Sequence, residues 1–118
     1  MNDNVSEIVL EKYHVYYNHI RDSLYIYFRN KRYSGYNVII RKDIDIIIDP
    51  TNNGVNGLEF YHVSDKNGIK FKIFSKNVII ENAFKKDLNI HKKDINQLID
   101  CANKLIKNGT IAKLIVFK

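Results

Sequence analysis

Apolar and polar residues alternate singly over much of the first two thirds of the chain, and only near the end does the spacing become that of a helix. Leu24, Ile26 and Phe28 alternate with Tyr25, Tyr27 and Arg29, the period of a strand with one core face and one wetter face. Before it, Lys12 to Ile20 is rich in aromatic and β-branched types that fit a pleated surface, and Asp22-Ser23 marks the turn between the two strands. Arg29 to Gly35 is polar and predicts a loop into a strand at Tyr36 to Arg41. Lys42-Asp43 then turns into Ile44 to Asp49, which Pro50 ends, because proline lacks an N–H and pushes its predecessor out of the helical region.

Asn-Gly is a strong short hairpin signal, since both residues tolerate positive φ. Asn53-Gly54 predicts a tight connection, Asn56-Gly57 the opening of a strand at Leu58 to Val63, and Asn67-Gly68 a hairpin into Ile69 to Phe74. In the strand at Leu58 to Val63, Leu58, Phe60 and His62 share one face, with Glu59, Tyr61 and Val63 on the other. In the next, Lys70 and Lys72 face away from Ile69, Phe71 and Ile73, as on an edge where charge blocks unwanted pairing. A further strand is predicted at Val78 to Glu81, and Phe84, Leu88 and Ile90 are expected to anchor a loop over Asn82 to His91.

After this, Ile95, Leu98, Ile99, Ala102, Leu105 and Ile106 recur at helical spacing, and Gly109 stands where a left-handed residue would end the helix. Ile111 to Phe117 is apolar at most positions and predicts a last strand covered by that helix, with a buried C-terminus. The fold class expected is α+β, a mostly antiparallel β-meander sheet of roughly seven to eight strands with one C-terminal amphipathic helix packed on it, followed by a last strand. A chain of 118 residues has room for one core, so residues 1–118 are expected to form a single domain.

Composition narrows the classes. With 45% hydrophobic and 27% charged residues the chain has enough apolar material to fold, and no apolar run approaches the roughly 20 residues of a membrane helix. The start, Met1 to Glu7, is polar and acidic, unlike a secretory signal, and Cys101 is the sole cysteine, so no internal disulfide can form. A cytoplasmic location is expected. The net charge of +6 favours nucleic acid, an acidic surface or an acidic protein as partner. The abundance of lysine, isoleucine and asparagine also follows from AT-rich coding, so the charge alone does not select a partner.

From Ile20 to Val63 the chain carries Asp22-Ser23-Leu24-Tyr25-Ile26, then Ile48-Asp49, Gly54, and Gly57-Leu58-Glu59-Phe60. This pattern, D-x-L-Y-I followed by an acidic strand end, a glycine turn and G-[IL]-E, resembles a family of small bacterial proteins known only as domains of unknown function, number twenty-two eighty-three in that series. Pro50-Thr51-Asn52 stands where that family has a more acidic run. The resemblance implies a compact β-rich unit without an established activity, and some such small domains look like partners of toxins in bacterial gene pairs.

Candidate chemistry is sparse. Asp22, Asp45, Asp49 and Glu59 are the acids of the strand-rich part that could converge, and Asp49 and Glu59 flank one hairpin, where mutual approach would favour general-acid chemistry. Against this, aspartate is a favoured turn residue, so Asp22 and Asp49 are expected to cap turns and Glu59 to point to water. His14, His19, His62 and His91 lack metal-ligand spacing, His14 and His19 should face opposite sides, and each is expected to be a surface or hydrogen-bonded histidine. Cys101 is expected to pack as a small apolar group. No phosphate-binding loop, nucleophile elbow or dinucleotide fingerprint is present, and neither a metal nor a cofactor is expected.

The remaining signal is positive charge among aromatics. Arg29, Lys31 and Arg32 lie between Phe28 and Tyr33, while Tyr25, Tyr27 and Tyr61 could line a sheet face, with Lys85-Lys86 and Lys92-Lys93 as extensions. Guanidinium groups on phosphates and tyrosines on bases would suit a single-strand binder, and the same residue types are enriched at protein interfaces. The expectation is a non-enzymatic macromolecular interaction protein acting on a protein partner as an inhibitor, like antitoxin, immunity or anti-defence proteins of bacteria or mobile elements. A basic nucleic-acid-binding protein is the alternative, and a small hydrolase using Asp49 and Glu59 a third. A monomer or weak homodimer is expected, with no membrane association, any dimer being opposed by like charge along the Ile69 to Phe74 edge.

Overall fold

The structure is a computed structural model that describes residues 5–65, 68–69 and 92–116. Its main body is a six-stranded antiparallel sheet made of β1 (Val5–Val9), β2 (Tyr13–Asn18), β3 (Ser23–Phe28), β4 (Tyr36–Arg41), β5 (Ile44–Ile48) and β6 (Val55–Tyr61). The spatial order is β1-β2-β3-β6-β5-β4. The sheet is therefore two three-strand meanders joined along β3 and β6, and the connection after β3 carries the chain through a short 3-10 turn, Arg29–Lys31, to the far edge. A separate two-stranded ribbon pairs β7 (Ser64–Asp65) with β8 (Gly68–Ile69). Two helices follow, α1 (Lys92–Lys107) and α2 (Thr110–Val116).

Burial accounts for the order. The strands β3, β5 and β6 are buried along almost their whole length on both faces, whereas β1 and β4 alternate with exposed positions, as edges do. On one face Leu24, Ile26, Ile44, Ile46, Leu58 and Phe60 form the main core with α1, which contributes Ile95, Leu98, Ile99, Ala102 and Leu105 as its spacing predicts. Cys101 packs into the same core as an apolar group. Burial pushes its thiol up to about 12.

Several expectations are corrected. The last strand is a helix, α2: an apolar run cannot distinguish strand from helix by itself, and Ile111, Leu114 and Ile115 share one helical face packed on the core, while Val116 is exposed. Gly109 has φ +81 and ends α1 as expected, and Asn108 Oδ1 accepts the Thr110 N–H to start α2 at once. Asn56-Gly57 is not a strand opening; it lies inside β6, where Asn56 is buried and Gly57 pairs with both Tyr27 and Ile47. Asn53, with φ 58, does turn the chain between β5 and β6.

His62 leaves the core face, because its φ of 54 ends the alternation and puts Val63 into the main core instead. The strand β1, which pairs with β2 from Val5↔Asn18 to Val9↔His14, was not foreseen in the polar start. The expected strand at Ile69 to Phe74 has its first residue in β8; its remainder, the strand at Val78 to Glu81, the loop at Asn82 to His91 and Lys85-Lys86 lie outside the described residues. Among the described residues no helix is long and apolar enough to cross a membrane.

Candidate functional site

The face of the sheet opposite α1 is ordered by two rows of cross-strand partners. One runs Glu7, Tyr16, Tyr25, Glu59, Asp45 and the other His14, Tyr27, Gly57, Ile47, Asn37. Residues directly opposite on adjacent strands bring their side chains together, and here that sets Tyr16 and Tyr25 side by side, with the carboxylates of Glu59 and Asp45 next in the row. Tyr16 and Tyr25 stack with ring centroids 4.4 Å apart and an interplanar angle of 5°. Tyr27 lies nearly parallel to Tyr25 at 6.1 Å, and Tyr33 leans onto Tyr16 at 5.0 Å.

Gly57 makes this paving fit. A Cβ there would come within 2.5 Å of the Ile26 carbonyl oxygen and 2.9 Å of the Tyr27 ring, so the ring of Tyr27 occupies the space that the missing side chain leaves. Tyr25 and Tyr27 are buried by one another, although the sequence places them on a wetter face. Burial raises Tyr27 to about 12 and carries Tyr16 and Tyr25 well above the ordinary phenol range, Glu59 adding to the effect on Tyr25.

Beside the tyrosines lies an acid pair. Asp45 and Glu59 are partners across β5 and β6, exposed by 3% and 1%. A single amide, Asn37 Nδ2, donates to Asp45 Oδ2 at 3.0 Å and to Glu59 Oε1 at 2.7 Å, and the Tyr61 hydroxyl donates to Asp45 Oδ2. Arg21 Nη2 stands 3.6 Å from Glu59 Oε2, an ion contact beyond hydrogen-bonding distance, with its own side chain 58% exposed. Tyr61 is raised by burial and then by Asp45. A depression of about 470 Å³ opens here, lined among others by Tyr16, Arg21, Tyr33, Asn37 and Tyr61.

Asp49 and Glu59, whose mutual approach would favour general-acid chemistry, do not pair, and Asp49 caps a turn as expected. The register sets Glu59 opposite Asp45, while Asp49 sits at the turn, accepting from the Thr51 N–H at 2.9 Å and the Thr51 hydroxyl at 2.6 Å. Those bonds, with Lys31 Nζ at 3.6 Å, hold the Asp49 carboxyl below its usual range. Asp22 is a turn residue as expected, with φ 52, and it accepts from Tyr17, from the Ser64 N–H and from the Ser64 hydroxyl. Glu59, expected to point to water, is buried because its neighbours on both sides, Leu58 and Phe60, fix β6 at the centre of the sheet.

Among the other candidates, Tyr25, Tyr27 and Tyr61 come together on this face, and Arg32 reaches its border with its guanidinium 5.8 Å from the Tyr33 ring centroid. Arg29 and Lys31 line a different cavity, as does the Arg32 side of the same turn. Lys93 is exposed at the start of α1. His14 and His19 face opposite sides: buried His14 bonds Glu7 Oε2 at 2.7 Å on the tyrosine face, and His19 contacts the Ser6 hydroxyl at 2.7 Å beside Tyr17. The bond from His14 is the main cause that lowers the Glu7 carboxyl. His62 is exposed and His91 lies outside the described residues, among which no cluster of histidine, cysteine and acidic residues could hold a metal.

Sequence reasoning missed Tyr16, Tyr33, Arg21 and Asn37 as members of the site. A signal for its centre was present: Ile44-Asp45-Ile46 and Leu58-Glu59-Phe60 each set one acid between two core residues of a strand. Comparison of the chain with family models, curated proteins and solved structures finds no match.

Proposed function

We propose that the protein is a non-enzymatic interaction module that binds a protein partner through the tyrosine-paved face, as inhibitors of the antitoxin or immunity kind do. The observation that carries this is the face itself. Tyr16, Tyr25, Tyr27 and Tyr33 form one aromatic layer, with Tyr33 exposed and the exposed guanidinium of Arg21 beside it. Tyrosine and arginine are the residue types that concentrate binding energy at protein interfaces, and a layer already fixed by mutual stacking loses little entropy on binding. A partner surface bearing carboxylates fits, because Arg21 and Arg32 border the face and the whole chain is net positive by +6.

One feature favours a protein over a nucleic acid at this face: Tyr25 and Tyr27 are buried against neighbouring rings, so their faces are not free for bases. The burial of Asp45, which does not line the depression beside Glu59, favours a binding role over catalysis by the acid pair, since both acids of such a pair must reach a bound substrate. The test is affinity capture from the native host with the wild-type chain, Tyr33→Ala and Arg21→Glu, followed by mass spectrometry with and without nuclease. A specific protein retained after nuclease treatment and lost with both variants is the expected result. Capture unaffected by the variants, or capture of nucleic acid alone, would overturn the proposal.

A further inference from the structure

A second site stands apart from the tyrosine face. Three connections meet at one end of the sheet: the β1–β2 turn, the 3-10 turn after β3 and the turn between β5 and β6. With the first turns of α1 they line an open cavity of about 1150 Å³. The first two connections are tied together by the Arg29 N–H donating to the Lys12 carbonyl at 2.9 Å, and the third is closed on itself by the Asp49 N–H donating to the Gly54 carbonyl at 2.8 Å.

The lining is two-signed. Lys12, Arg29, Lys31 and Arg32 border it on the turn side, and none of the side chains of the 3-10 turn is buried. Lys31 is compensated by Asp49 and Arg32 leans on Tyr33, whereas Lys12 and Arg29 have no ion-pair partner among the described residues. On the helix side stand Asp94 and Gln97, and Glu11 adds a further carboxylate at the rim. Phe28, stacked on Tyr13 with centroids 5.9 Å apart, supplies an apolar wall. Asn52 accepts the Gly54 N–H through Oδ1 and keeps its amide N–H groups for a ligand.

We propose that this cavity binds a nucleotide, with Lys12 and Arg29 on its phosphates, Phe28 against its base and Asp94 accepting from its sugar hydroxyls. A simple inorganic anion would leave the carboxylate, the amides and the aromatic wall without a role. A nucleotide carries anionic phosphates, a hydroxyl-bearing sugar and a flat apolar base, and the lining offers cations, a carboxylate and an aromatic ring for these three parts. The residues come from separate turns, so no contiguous phosphate-loop motif is needed.

Calorimetric titration of the full chain with ATP, and separately with tripolyphosphate, tests this at low salt. ATP is expected to bind at least about tenfold more tightly than tripolyphosphate, and Arg29→Glu or Lys12→Glu to weaken ATP by about tenfold or more. Phe28→Leu is expected to weaken ATP while leaving tripolyphosphate unchanged. Lys42→Glu, the same charge change at the opposite end of the sheet, should leave ATP binding intact, and circular dichroism melts establish that each variant is folded. No ATP binding at millimolar concentration, equal affinity for tripolyphosphate, or equal losses from Lys42→Glu and Arg29→Glu would each overturn the assignment.

Discussion

Asn37 is the residue on which the acid pair depends. It is a polar side chain on an edge strand, yet its one amide nitrogen serves both Asp45 and Glu59, whose other oxygens Oδ1 and Oε2 accept no hydrogen bond. Removing a donor from a buried acceptor leaves its desolvation uncompensated. Asn37→Ala should therefore lower stability by about 1–2 kcal/mol in urea denaturation. Asn37→Asp should cost more, because it sets a third carboxylate against two buried ones. If Asn37→Asp were no less stable than Asn37→Ala, the two carboxylates would not govern this site. The sequence shows Asn37 only as a polar position in a strand, since its partners are set by the pairing of β5 with β6 and not by local spacing.

At the scale of elements, hairpins closed by short turns were legible, while features set by distant pairing were not. The alternation of Leu24, Ile26 and Phe28 marks β3, and the stripe from Ile95 to Ile106 marks α1, because each carries the period of its own geometry. Asn56-Gly57 misled because glycine serves close approach as well as turning, and only the neighbouring β3 reveals which. Gly57→Ala should accordingly destabilise by about 1–3 kcal/mol, since backbone on the next strand cannot move aside. A control, Gly109→Ala, meets open space but carries φ +81, so its cost is conformational and should leave the tyrosine stack unaltered. Near-ultraviolet circular dichroism of the tyrosines separates the two: it should change for Gly57→Ala alone.

For the whole molecule, the tyrosines link fold and pH. Tyrosine is neutral when protonated, and the unfolded chain's tyrosines ionise near about 10. Burial delays ionisation of Tyr17 and Tyr27 in the fold to about 12. Native protein thus holds more protons than unfolded protein across that interval, and stability is full below about 10 and falls as pH rises toward 12. Absorbance at the tyrosinate band should show these phenols ionising together with loss of the fold, and a smooth titration at ordinary phenol pH with the fold intact would contradict their burial. The strand order has a further consequence, for the time course of folding. Each three-strand half closes through nearby residues, but β3 and β6, the innermost strands, meet only when the last strands of the two halves are brought together across the intervening β4–β5 hairpin. Such distant closure is slow and gains its contacts late. Until β3 and β6 zip, each half displays a bare, apolar inner strand to the other, so the seam that completes the tyrosine-paved face is also the edge most open to the wrong neighbour during folding.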